Sequence, residues 1–117
     1  RLVAVFQPHR YTRTSDLFDD FVAALATQQD LLVCEVYPAG EAPIMGATGK
    51  SLCQAIRVRG TSNPVFVPDI DELGIVLEPL LEEGDVILTM GAGSIGKAVR
   101  HLFEQHSSHK QAKGVAS

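Results

Sequence analysis

From Gln7 to Thr14 the chain reads Gln-Pro-His-Arg-Tyr-Thr-Arg-Thr, and the first fifteen residues hold three Arg and one His with no acid. Arg10 and Arg13 can each grip a carboxylate or phosphate through two parallel hydrogen bonds, with His9 beside them. A helix starting just after this stretch would add free N–H groups and a partial positive charge. The competing reading is a solvated basic loop that pairs with Asp16, Asp19 or Asp20.

Residues 91–96, Gly-Ala-Gly-Ser-Ile-Gly, match the spacing of a dinucleotide-binding fingerprint. Such a site needs a further strand and an acidic residue about 20 positions on to hold a ribose, and the sequence shows neither. Two readings remain: the glycines allow close packing of helix on strand, or the N–H groups of Gly91, Gly93 and Ser94 line the same crevice as the arginines. Gly49-Lys50-Ser51 has the ending of a phosphate loop, but Ile44 stands where that loop requires glycine, so it reads as a decoy. His101, His106 and His109 have no acidic or Cys partner in a ligand pattern, so no metal site is expected. Glu35, Tyr37 and Glu41 flank the end of one apolar segment and either face a ligand or order their own loop.

The elements that must hold these residues follow from the apolar pattern. Residues 2–6 are an unbroken apolar run, as in a strand covered on both faces. Residues 15–29 carry Leu17, Phe18, Phe21, Val22 and Leu25 on one helical stripe, with Thr14 or Ser15 as the cap. A second strand over 31–36 runs into a Gly- and Pro-rich loop from 38 to 49. Then come a helix over 50–59, a strand over 64–67, and a helical stripe through Leu73, Leu77, Leu80 and Leu81. Asp69 with Glu72 has the form of a capping box, and Pro79 should kink that helix. The last strand is 85–90, followed by a helix carrying Ala98, Val99, Leu102 and Phe103. Residues 106–117 read as a disordered tail, leaving a single domain over 1–105.

Strand and helix alternate four times, which selects an α/β fold: a Rossmann-like three-layer domain with a mainly parallel sheet of about four strands. The expected order is third, second, first, fourth, with a crevice where the winding reverses between the first and fourth strands. The basic loop and the glycine loop both leave strands at that crevice. At 117 residues with 45% apolar and 21% charged residues, a core is feasible without disulfides, and Cys34 and Cys53 read as reduced core thiols. A net charge of -4 argues against a nucleic-acid or membrane-surface binder. No apolar run approaches the roughly 20 residues of a membrane span. No nucleophile, base and orienting residue form a set, so no catalytic residue is assigned.

Three blocks in order and spacing, Phe6 to Thr14, Glu35 to Glu41 and Gly91 to Gly96, resemble the C-terminal domain of the Mur ligase family. The resemblance runs from Arg1 to about Phe103, and the first block resembles the branch that joins L-alanine to UDP-N-acetylmuramate. It implies an ATP-dependent, cytoplasmic ligase of peptidoglycan synthesis, in which an acyl phosphate is attacked by the amino group of L-alanine. It also implies a Rossmann-like domain that closes over a central ATPase domain of the same chain and presents the amino acid through His9, Arg10 and Arg13. The family's phosphate loop, magnesium ligands and UDP-sugar domain are not in this sequence. ATP and Mg would therefore be bound mainly by other domains, with no cofactor and no turnover in this piece alone. The chain reads as a piece of a longer protein; the alternative is a stand-alone, non-catalytic module that binds a small carboxylate or nucleotide.

Overall fold

A computed structural model describes residues 1–91, 93–106 and 114–116. The elements are β1 (Leu2–Gln7), α1 (Tyr11–Asp16), α2 (Phe18–Leu25), β2 (Asp30–Cys34), α3 (Gly49–Val58), β3 (Val65–Val67), α4 (Leu73–Leu77), β4 (Val86–Gly91), α5 (Gly93–His106) and β5 (Gly114–Ala116). All paired strands are parallel, in the order β3-β2-β1-β4-β5. The expected 3-2-1-4 arrangement is therefore present, with one strand more.

The sheet divides the core in two. On one face Val3, Val5, Leu32, Cys34, Val67 and Ile87 pack with Leu73 and Leu77 of α4 and with Ile95, Val99 and Leu102 of α5. On the other, Ala4, Leu31 and Val33 pack with Val22 and Leu25 of α2 and with Leu52, Cys53 and Ile56 of α3. Successive side chains of a strand point to opposite faces, so an unbroken apolar run is what a strand covered on both sides requires. Leu52, Ile56, Leu77 and Ile87 are fully buried, and truncating one such side chain to Ala typically costs about 2–5 kcal/mol.

Four local expectations are corrected. The first helical stripe is two helices, and it starts at Tyr11 rather than near residue 15. Thr14 is accordingly no cap: it lies buried inside α1, and its hydroxyl donates to the Arg10 carbonyl at 2.8 Å. Asp69 accepts from the Asp71 amide at 2.9 Å and heads a 3-10 turn, Ile70–Glu72, in place of a capping box with Glu72. Pro79 does not kink a continuous helix; α4 stops at Leu77 and a 3-10 turn, Glu78–Leu80, carries the proline, whose missing N–H a tighter turn tolerates.

The expected tail is also shorter. Helix α5 continues to His106, and Gly114–Ala116 pair with residues 86–88 as β5. The unpaired N–H and C=O groups along β4 accept a short parallel strand of small residues, a pairing that no run of large apolar residues signals. The remaining tail positions and Ala92 lie outside the described residues. Among the described residues, no helix is long and apolar enough to cross a membrane.

Candidate functional site: the crevice at the ends of β1 and β4

Beyond Gln7 the first strand continues as a looser pairing with the chain leaving β2. The Tyr37 amide donates to the Pro8 carbonyl at 2.8 Å, and the Arg10 amide donates to the Tyr37 carbonyl at 2.8 Å. His9 and Tyr37 form an isolated parallel bridge, and their rings stack at 5.4 Å and 7°. Arg10 then turns the chain into α1 with φ 70 and ψ 138, outside the regions open to most L-residues. Its carbonyl is held by both the Thr14 amide, at 3.1 Å, and the Thr14 hydroxyl.

A second tight turn faces this one. The Glu41 amide donates to the Pro38 carbonyl at 2.9 Å across Ala39, φ 50, and Gly40, φ 87. The turn aims the Glu41 side chain at α1. Its Oε1 accepts from the Thr12 amide at 3.1 Å, its Oε2 accepts from the Thr12 hydroxyl at 2.7 Å, and Arg10 Nη1 lies 4.0 Å from Oε2. The hydrogen bond from the Thr12 hydroxyl, helped by the Thr12 amide, holds the Glu41 carboxyl below the usual carboxylate range.

A cleft of about 380 Å³ lies beside these turns, lined by Phe6, Gln7, His9, Arg13, Phe21 and Gly91. Phe6 and Phe21 form its apolar wall, with ring centroids 5.2 Å apart. Nε2 of the buried Gln7 side chain donates to the Glu35 carbonyl at 3.4 Å. Gly91 sits directly across from Gln7 in the parallel register, with φ 138, and a Cβ there would collide with the Gln7 carbonyl oxygen. Only glycine lets β1 and β4 come this close at the mouth of the crevice.

Of the residues singled out in the sequence, His9, Arg13 and Gly91 share the cleft. Arg10 stands beside Glu41, and Tyr37 stacks on the His9 ring. Glu41 caps α1 through Thr12. At the start of that helix a carboxylate of the same chain holds the Thr12 amide. Gly93 opens α5, and Ser94 follows in the same helix. Phe6 and Phe21 were missed as lining residues, since in sequence they are indistinguishable from strand and helix core, whereas Gln7 opens the basic stretch already placed at the crevice.

Gly49-Lys50-Ser51 is the start of α3. The Gly49 amide donates to the Glu35 carboxylate at 2.9 Å, and the Ser51 amide to Thr48 Oγ1 at 3.1 Å. These leading amides are committed to protein oxygens. A Cβ at Gly49 would stand 2.6 Å from the Cys34 carbonyl oxygen, so close packing on β2 explains this glycine. Glu35 also accepts from the Val36 amide at 2.7 Å, which settles its role as a loop-ordering group. His101 is exposed on α5, His106 ends that helix, and His109 lies outside the described residues. Among the described residues, no three His, Cys, Asp or Glu side chains gather as metal ligands.

Fold and crevice together define a class: a parallel, Rossmann-like α/β domain that offers cations and aromatic rings at the carboxyl ends of its strands. The model of the "Mur ligase, glutamate ligase domain" matches residues 1–93. The chain belongs to the Mur ligase family, as its C-terminal domain. It is 61% identical over 102 residues to the UDP-N-acetylmuramate--L-alanine ligase of Laribacter hongkongensis, covering 87% of this chain and 22% of that protein. It is 56% identical over 104 residues to the ligase of the same name from Nitrosomonas europaea, covering 89% and 22%. The corresponding ligase of Aromatoleum aromaticum is 59% identical over 96 residues, covering 82% and 20%. The chain thus spans about a fifth of the length of the curated relatives it matches.

Proposed function

We propose that this domain presents L-alanine in a larger, cytoplasmic, ATP-dependent ligase that joins it to UDP-N-acetylmuramate through an acyl phosphate in peptidoglycan synthesis. The names of the relatives support the pair of substrates joined, and the crevice supports the role. The observation that carries the reading is the placement of His9 and Arg13 on one apolar-walled cleft at the β1–β4 winding reversal, with Arg10 next to His9 in the chain and half exposed.

In this reading Arg13, and Arg10 beside it, hold the carboxylate of the amino acid by charge-assisted hydrogen bonds. Phe6 and Phe21 exclude water from its side chain. A carboxylate held at one point leaves the amine free to be aimed, and orientation of two reactants supplies a large share of the rate enhancement in such a step. Closure onto the central ATPase domain of the same chain brings that amine to the acyl phosphate.

The donor set of the crevice does not suit magnesium. It is cationic and aromatic, and the Glu41 carboxylate beside it is engaged by Thr12. The reading assigns ATP and Mg mainly to other domains and gives the isolated domain no turnover of its own. His9, Arg10 and Arg13 bind substrate, and no residue of this domain is given a catalytic role.

The test is Arg13→Ala in the intact ligase. Charge-assisted hydrogen bonds are worth about 1.5–3 kcal/mol, so KM for L-alanine should rise by about 10- to 100-fold, with KM for ATP little changed. Steady-state phosphate release, titrated separately with L-alanine and with ATP, reads both. An unchanged L-alanine dependence overturns the assignment.

A further inference from the structure

Arg10 and Ala39 are the only non-glycine residues with positive φ among the described residues, and they stand on the two turns that Glu41 ties together. Backbone in such regions costs about 1–3 kcal/mol and persists only where the surroundings over-determine it. Here they do. Arg10 is held at its amide by Tyr37 and at its carbonyl by Thr14, while Thr12 is held at its amide and hydroxyl by the two oxygens of one carboxylate. That carboxylate comes from 29 residues further along the chain, on the turn that begins at Pro38. Its side chain is 22% exposed, against 50% for Arg10, so the protein wraps the acid more closely than the cation that it faces.

A six-residue helix is too short to hold its own first turn, because nucleation fixes several dihedrals for each hydrogen bond gained. Something outside α1 must set it, and Arg13 lies in that helix. We propose that Glu41 is a positioning residue for amino-acid binding: by clamping Thr12 it fixes the first turn of α1, and with it the directions in which Arg10 and Arg13 leave the backbone. Glu41 touches no substrate in this scheme and acts through Thr12. The inference rests on the reading of Arg10 and Arg13 as substrate-binding residues.

The experiment is a set of variants in the intact ligase, read by separate KM and kcat values for L-alanine and ATP and by the melting temperature. Glu41→Ala is expected to raise KM for L-alanine by about tenfold, the equivalent of about 1.4 kcal/mol, with a smaller change in kcat and in KM for ATP. Glu41→Gln is expected to restore most of the loss, since its carbonyl oxygen accepts from the Thr12 amide and its NH2 donates to the Thr12 hydroxyl. Thr12→Val is expected to act in the same direction, and the Thr12→Val/Glu41→Ala double variant should be no worse than Glu41→Ala alone.

Arg13→Ala is measured beside them. If it raises KM for L-alanine while Glu41→Ala leaves that KM unchanged, the positioning role is overturned and the binding assignment stands. A lowered KM in Glu41→Ala would make Glu41 a competitor of the substrate carboxylate and equally overturn the proposal. A uniform loss in both KM values, kcat and melting temperature, with no rescue by Gln, reduces Glu41 to a general structural contact and overturns it too. If Arg13→Ala leaves the L-alanine KM unchanged, both readings fall together. Should Glu41→Ala not fold, Glu41→Gln and Thr12→Val carry the same comparison.

Discussion

The two ends of the sheet treat their arginines in opposite ways. At the amino ends of the strands, Arg1 donates to Asp85 Oδ2 at 2.7 Å, to Asp85 Oδ1 at 3.2 Å and to the Leu80 carbonyl at 2.6 Å, and it lies 3.7 Å from Asp30. Asp85 is buried and also accepts from the Glu82 amide at 2.7 Å. At the carboxyl ends, Arg10 makes one loose approach to Glu41, and Arg13 faces a cleft. Strain is divided differently too: among the described residues, both non-glycine residues with positive φ, Arg10 and Ala39, lie in the turns beyond the carboxyl ends of β1 and β2. One end saturates its charge and relaxes its backbone; the other keeps its charges available and holds them with a strained backbone. This is the distribution expected when one end serves stability and the other binding.

The contrast is most sharply tested at Gly91, where β4 comes too close to the Gln7 carbonyl for any side chain. Gly91→Ala in the 117-residue chain is expected to cost more than about 3 kcal/mol, through both the left-handed φ and the clash with the Gln7 carbonyl; the denaturant midpoint checks it. A smaller loss would mean that β1 and β4 separate easily at their carboxyl ends.

Next in size is the opposite end. The Asp85 carboxyl is held down at about 2, first by the hydrogen bond from Arg1 and then by the Glu82 amide. A folded-state pKa below the unfolded value of about 3.9 means that its contribution is fully present above about pH 4 and is lost as pH falls towards 2. Asp85→Asn is therefore expected to melt below the parent chain at pH 7, with the gap closing between about pH 4 and pH 2. A gap that persists unchanged at pH 2 would assign the effect to packing rather than charge. KM for L-alanine in the intact ligase should not follow this substitution, because Asp85 lies at the far end of the strands.

The smallest effect has the opposite sign. Arg10→Gly is expected to raise the stability of the chain by about 1 kcal/mol, as the left-handed strain is relieved, while raising KM for L-alanine. Equal stability of parent and variant would show that Arg10 is not strained in its place.

The parts of this molecule legible in the sequence are those decided by neighbours along the chain. Unbroken apolar runs marked β1 and β4, the stripes of Leu52 with Ile56 and of Val99 with Leu102 marked their helices, and alternation of the two marked the strand order and the crevice. The basic loop stood out because its charges were undiluted. What stayed hidden was decided at long range. Helix α1 begins at Tyr11 only because Arg10 accepts a left-handed conformation and Glu41, far along the chain, takes the Thr12 amide. Glu35 and Glu41 both read as either ligand-facing or loop-ordering; no local rule separates them from their counterparts at an open site. Strand β5 was hidden for a different reason: three small residues carry no strand pattern, and the free edge of β4 alone invites them.

The placement of the two cysteines on opposite faces of the sheet has a consequence for chemical labelling. Cys34 packs with the α4 and α5 layer and Cys53 with the α2 and α3 layer, both free and buried, with burial as the main cause pushing their thiols up to about 12 and about 11. A thiolate is the reactive form, so neither sulfur reacts while its layer is closed. Each face of the sheet thus carries its own built-in seal, and the order in which alkylating reagents reach Cys34 and Cys53 records which side of the domain opens first.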